Sequence, residues 1–218
     1  MTMKAFEALS AKAVKCRVCF ERFDVKPALI DVAQPRWVGS KYWSTRPRIV
    51  IVMLNPGSGE ARDGSADTRS LNSLKAFAQS RGSLSAVLQH QAADMPNWGR
   101  LLRTEEGKPN GHQFTTFYLK GLNLKLEEIA FANVAWCATS GNKYPSGMLS
   151  TCFERHTQPL LKLLAPDAVL LSGSATHRFA ASIRPDVPDA KVIPMMHYAH
   201  REGANVEATE LARVRAQL

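Results

Sequence analysis

The 218-residue chain lacks a long apolar run. Its longest, Ile49–Leu54, is far shorter than the roughly 20 residues that a membrane-spanning helix needs, which excludes an integral α-helical membrane protein. The opening MTMKAFEALSAKAVK has no extended apolar stretch of the secretory kind, so the expectation is a cytoplasmic protein. Internal repeats and low-complexity tracts are missing, which excludes solenoids and fibrous classes. Acidic residues are in deficit: 28 Lys and Arg stand against 19 Asp and Glu, a formal charge of +9. A surplus of that sign favours a polyanionic partner, and a phosphate backbone is the commonest. Cysteine is scarce as well, at four residues.

All four cysteines fall into one pattern. Cys16 and Cys19 form a CxxC near the start, and Cys137 and Cys152 follow far downstream. Cytosolic thiols stay reduced, so the four read as metal ligands before disulfides. Four thiolates suit a cubane iron–sulfur cluster or a structural zinc. Ligands this far apart in sequence would clamp the N-terminal segment onto the middle of the fold.

The remaining pattern is that of an α/β protein, with length enough for one core and a single domain over residues 1–218. A first helix is expected within residues 3–14, with Phe6, Leu9 and Val14 on its apolar side. Residues 24–47 form an irregular lead-in rich in Pro and Trp. A continuous β-branched run, 48–54, reads as a strand buried on both faces, and the runs 129–137, 167–173 and 191–195 read as three further strands. Helical segments fall between them at 68–92 (with a break at Gly82), 111–121, 148–164 and 175–183, and a last helix covers about 204–217. Pro159 must kink its helix or begin a new one. Strands alternating with helices give a three-layer α/β/α sandwich around a central, mainly parallel, four-stranded sheet.

Ligands of such sheets bind beyond the carboxyl ends of the strands. There the sequence places Met53-Leu54-Asn55-Pro56-Gly57, then Cys137 through Pro145, then Ser172-Gly173-Ser174, then Met196-His197-Tyr198-Ala199-His200-Arg201. The polar groups Asn55, Asn133, Asn142, Ser172 and His197 would gather at one edge.

These blocks resemble, in order, the uracil-DNA glycosylase superfamily, and within it the iron–sulfur branch (family 4). The CxxC has its counterpart there. ANVAWCATSGNKYP is similar to TNVVKCRPPGNRxP of that branch, and Cys152 follows at the spacing of its fourth ligand. ERHTQPLLKLLAPDAVLLSGSAT resembles PFLxxQIxLLxPKxIVxLGxxA, and GLNLKLEEIAFANV resembles GLxREDVYITNV. The resemblance runs from about residue 14 to residue 201.

It implies a monomeric DNA-repair enzyme that hydrolyses the N-glycosidic bond of uracil or a related deaminated base. Cys16, Cys19, Cys137 and Cys152 would hold a [4Fe–4S] cluster, with zinc as the alternative. The first motif departs from the iron–sulfur branch, whose Gly-Glu-Ala-Pro-Gly carries a glutamate where Leu54 stands. Asn55 instead resembles the asparagine of the mismatch-specific and single-strand-selective branches, which positions the attacking water. Asn133 stands where an amide reads the pyrimidine edge. His197 stands at the histidine of the last motif, where Tyr198 replaces a proline.

A glycosylase extrudes its base into a snug pocket, and an aromatic face stacks on it. Trp98 is the candidate for stacking, and Gly57 joins Asn133 in base binding. Ser58, Asn142, Lys143, His200 and Arg201 would follow the nucleic-acid backbone. Glu60 and Asp63, just past the turn, read as solvated loop charges. An amide accepts no proton at neutral pH, so Asn55 orients water without acting as a base, and slow catalysis follows. Loss of the motif acid leaves open a nucleic-acid-binding protein of the same fold without activity.

Overall fold

The computed structural model describes residues 3–56, 64–97, 114–199 and 202–218. It is an α/β protein with a four-stranded, all-parallel sheet flanked by helices, as the alternation of strands and helices implies. The strands are β1 (Ile49–Met53), β2 (Ile129–Asn133), β3 (Ala168–Ser172) and β4 (Lys191–Met195), in the spatial order β2-β1-β3-β4. In register, Ile51 lies opposite Leu170 and Leu170 opposite Ile193. Every residue of β1, β2 and β3 is buried, the consequence of strands covered on both faces. β4 is partly exposed and carries Pro194. A proline gives the ladder no N–H and is tolerated on an edge strand.

The helices are α1 (Met3–Ala13), α2 (Val18–Phe23), α3 (Gly64–Ala78), α4 (Leu84–Asp94), α5 (Met148–Cys152), α6 (Gln158–Leu164), α7 (Ser174–His177), α8 (Ala180–Ile183) and α9 (Ala204–Arg215). The expected break at Gly82 separates α3 from α4, and the Ser83 hydroxyl accepts from the Ala86 N–H at 3.2 Å to cap α4. The helix is not broken at Pro159: it widens into a π turn at Phe153–Thr157 and runs on as α6, with Pro159 just past the widening.

The chain divides into two compact units built from alternating segments. Unit 1 takes Met1–Trp37, Leu54–Ala92 and Ala132–Leu164; unit 2 takes Val38–Met53, Ala93–Phe131 and Ala165–Leu218.

Unit 1 holds α1 packed on α6 and α2 packed on α5. The expected strand over 129–137 ends its ladder at Asn133, although Val134–Thr139 stay buried. Beyond Asn133 the backbone finds other partners. The Ala135 N–H donates to the Leu54 carbonyl at 2.8 Å, the Trp136 carbonyl accepts from Gln34, and the Ala138 carbonyl accepts from Ala28. The irregular segment over 24–47 thus satisfies buried polar groups that no strand covers.

Unit 2 holds the sheet core. At the amino ends of its strands, Asp167 accepts from the Arg48 N–H at 2.6 Å and pairs with the Arg46 guanidinium. α9 closes the edge at β4: Glu210 accepts from the Met196 N–H at 3.0 Å, while Arg213 bonds both Glu210 and the Pro194 carbonyl.

Candidate metal centre and active-site residues

In unit 1 the α2–α5 packing and the loop after β2 bring three thiols together. The sulfurs of Cys19, Cys137 and Cys152 lie within 4.8 Å of one another, all buried. No cysteine is disulfide-bonded. A tetrahedral ion with metal–sulfur bonds of about 2.3 Å spaces its sulfurs about 3.8 Å apart, so the donors fit one metal centre with a small contraction. Cys16 is the half-buried outlier; its thiol faces His156 and Arg155.

The local electrostatics favour thiolate at Cys152 and Cys16 and thiol at Cys19 and Cys137. Hydrogen bonds from Cys137 and Cys19 bring the Cys152 thiol down to about 4 against burial, helped by the Trp136 and Cys137 amides. The Trp136 N–H donates to Cys152 Sγ at 3.1 Å. Sharing with Cys152 and then Cys19, with burial behind them, pushes Cys137 up. Cys19 is pulled down by Cys137, but Cys152 and burial outweigh that and push it up to about 11. At Cys16 a hydrogen bond with His156 lowers the thiol, against burial. Three buried thiols placed this close, with Cys152 held low, form a donor set of the type that soft cations take.

The same loop orients Asn55. Asn55 Nδ2 donates to Asn142 Oδ1 at 2.9 Å, leaving the Asn55 carbonyl oxygen as the acceptor end of the amide. Asn142 sits in a left-handed conformation (φ +54°) at the end of a short turn, Ser140–Asn142. Tyr144 also interacts with Asn55, and its hydroxyl donates to the Cys137 carbonyl at 3.1 Å. Asn55 is therefore linked to the Cys137 backbone through one side chain. Lys143 is exposed, and its carbonyl accepts from the Thr139 hydroxyl.

Asn133 is 0% exposed. With its amide turned to suit its neighbours, Oδ1 accepts from Arg36 Nε at 2.8 Å and Nδ2 donates to the Ala132 carbonyl at 3.2 Å. Arg36 is itself only 7% exposed and was not legible in the sequence, because it stands in a Pro-rich segment without periodicity. The Thr157 hydroxyl joins this group by donating to the Asn133 carbonyl, and it accepts from the Trp136 indole at 3.1 Å.

In unit 2, His197 lies just past β4. Its Nδ1 accepts from the Ala199 N–H at 3.2 Å, so in the neutral ring Nε2 carries the proton and is the donor. Gly173 follows β3 with φ +91°, and a Cβ there would lie 3.3 Å from the His197 Cβ. Only glycine combines that backbone with that approach. Tyr198, the departure from proline, packs its ring on Phe114 (5.4 Å) and Tyr118 (5.9 Å). Tyr118 is hydrogen-bonded to Ser172, and burial pushes its phenol up.

Gly57, Ser58, Trp98, His200 and Arg201 lie outside the described residues, as do Glu60 and Asp63. Among the described residues, no helix is long and apolar enough to cross a membrane. No protein-family model matches the chain, and no curated protein matches it.

Proposed function

We propose that the protein is a DNA glycosylase that releases uracil or a related deaminated base, with its cysteines holding a [4Fe–4S] cluster. The observation that supports this most is the convergence of Cys19, Cys137 and Cys152 from distant parts of the chain, the ligand pattern that the resemblance implies. Bound there, the cluster would act as a structural clamp on the N-terminal segment, with Cys16 swinging in as fourth ligand.

Hydrolysis breaks the bond between C1′ and the base nitrogen. The electron pair leaves with the base, water adds to C1′, and the water's proton ends on the base. Two side chains answer to these needs. The Asn55 oxygen accepts from water while Asn142 holds the other end of the amide. His197, with its proton on Nε2, donates to the base oxygen as negative charge grows there. Neither residue takes a proton, so catalysis is slower than with a carboxylate. Asn133 would read the base edge only by exchanging its Arg36 contact for the base.

The test is a labelled oligonucleotide containing one uracil, treated with protein and then alkali. The expected outcome is strand breakage that falls about 10²-fold or more in Asn55→Ala and His197→Ala. Binding without breakage on uracil, hypoxanthine or xanthine supports the binding-only alternative, which Leu54 and the occupied amide of Asn133 favour.

A second reading concerns the metal. Sulfurs this close suit a single ion better than a cubane, whose metals stand between the thiolates and spread them. Colourless protein with stoichiometric zinc would establish that reading; brown protein with visible absorption would establish the cluster.

A further inference from the structure

A cavity beside Cys16 in unit 1 gathers positive charge. It has a volume of about 700 Å³ and is lined by Lys12, Lys15, Arg17, Arg155 and His156, with Glu21 as its one acidic group. Among the described residues, few of these cations have an ion-pair partner. Arg17 pairs with Asp31, at 3.8 Å. Among the described residues, Lys12 and Lys15 have no ion-pair partner, and Glu21 joins none of the cations around it. Arg155 approaches the Cys16 thiol.

His156 lines the same cavity, is 6% exposed and stands beside the Cys16 thiol. Its ring is already occupied on one side by Trp136, at 5.4 Å.

Cations brought together without counter-charges repel one another, and an anion relieves that repulsion. The lining also limits the kind of anion. Leu9 and Val18 are its apolar members, and no Phe, Tyr or Trp lines it, so its one ring is His156, already packed on Trp136. Its volume exceeds that of a single phosphate ion and falls in the range of pockets for larger ligands.

We propose that this cavity binds the phosphodiester backbone of a DNA strand, without reading its sequence. The cations come from two stretches, α1 through α2 and the π turn after α5. The thiols of Cys19 and Cys152 lie on α2 and α5, so metal binding and assembly of this cradle draw on the same segments. The site differs from Asn55 and His197, and its test uses undamaged DNA, so it can fail or succeed apart from the glycosylase reading.

The experiment measures affinity of the metal-loaded protein for an undamaged oligonucleotide as a function of salt. Lys12→Gln/Lys15→Gln/Arg155→Gln is compared with Lys4→Gln/Lys26→Gln/Arg184→Gln, three exposed positions outside the cavity with the same loss of charge. The cavity variant should shallow the slope of log K against log salt by about three, independent of base sequence, and the control variant should leave it nearly unchanged. Equal slopes in both variants would overturn the proposal, as would inorganic phosphate or a mononucleotide binding as tightly as the strand. Lys12→Gln/Lys15→Gln alone, which leaves the Cys16 neighbour in place, should give a change of about two. No change in that variant, at unaltered metal content, would also overturn it.

Discussion

The sheet core of unit 2 and the thiol group of unit 1 are held in opposite ways. In unit 2 the strands β1 and β3 run side by side in register and bury every residue. Each methylene there contributes, and the backbone ladder satisfies the polar groups that burial strands. In unit 1 the residues around Cys137 are equally buried but make no ladder. Their polar atoms are satisfied one at a time, by Gln34, Ala28, Tyr144 and Thr157. Three proton-sharing thiols stand at the middle of that arrangement. The lesson is that continuous apolar burial holds one unit, while the other depends on single hydrogen bonds around three thiols close enough to bind a metal.

The largest expected effect breaks that dependence. Cys152→Ser or Cys137→Ser should abolish metal binding and lower the thermal midpoint by about 10 °C, an expected loss of several kcal/mol. Hydrogen exchange should speed up in α2 and α5 before it does in β1 and β3. Uniform loss of protection across both units would erase the distinction.

Next in size is His197→Ala, about 3 kcal/mol in the barrier, read as kcat on a uracil-containing strand with metal content unchanged. Leu170→Ala probes the other side of the contrast. It removes a fully buried side chain from β3 and should cost about 3 kcal/mol in denaturant unfolding. The metal content should stay at the wild-type level.

The contrast also explains what the sequence disclosed. β1 was legible because a β-branched run buried on both faces looks like little else, the other strands were legible as short apolar runs between helical segments, and the cysteine set was legible because it used every cysteine in the chain. The end of β2 was not. Val134 to Thr139 carry the same apolar signal as the strand before them, yet their N–H and C=O groups turn to residues far away in sequence. Periodicity reports burial and is silent on which backbone answers it. The Asn55–Asn142 bond and the Arg36–Asn133 contact were hidden for the same reason, since the first joins two loops and the second joins a loop to the end of β2, with no repeat to announce either. Asn142, expected along a nucleic-acid backbone, holds the Asn55 amide. The departure at Tyr198 was visible as a mismatch, and its packing on Phe114 and Tyr118 became visible only in three dimensions.

Gly173→Ala sharpens the comparison on the side of unit 2. A side chain at φ +91° is strained, and its Cβ would press on His197. The expected stability loss is about 1–2 kcal/mol, with kcat falling more than the change in KM.

The smallest effect is Glu210→Gln. The Arg213 guanidinium holds this carboxyl below its ordinary range against partial burial, with the Met196 N–H assisting. A lowered folded pKa gives stability that is present above the unfolded value of about 4.3 and is lost as pH falls through the folded value. Wild type should therefore exceed Glu210→Gln by less than about 1 kcal/mol at neutral pH. The gap should close under acid, as read by urea unfolding across pH.

The most direct measurement is metal analysis, with a visible spectrum and a thiol titration, of protein purified without oxygen. The account predicts one metal centre per chain, protected thiols, and loss of both in Cys152→Ser. Metal-free protein with four freely titrating thiols, as stable as that variant, would contradict it.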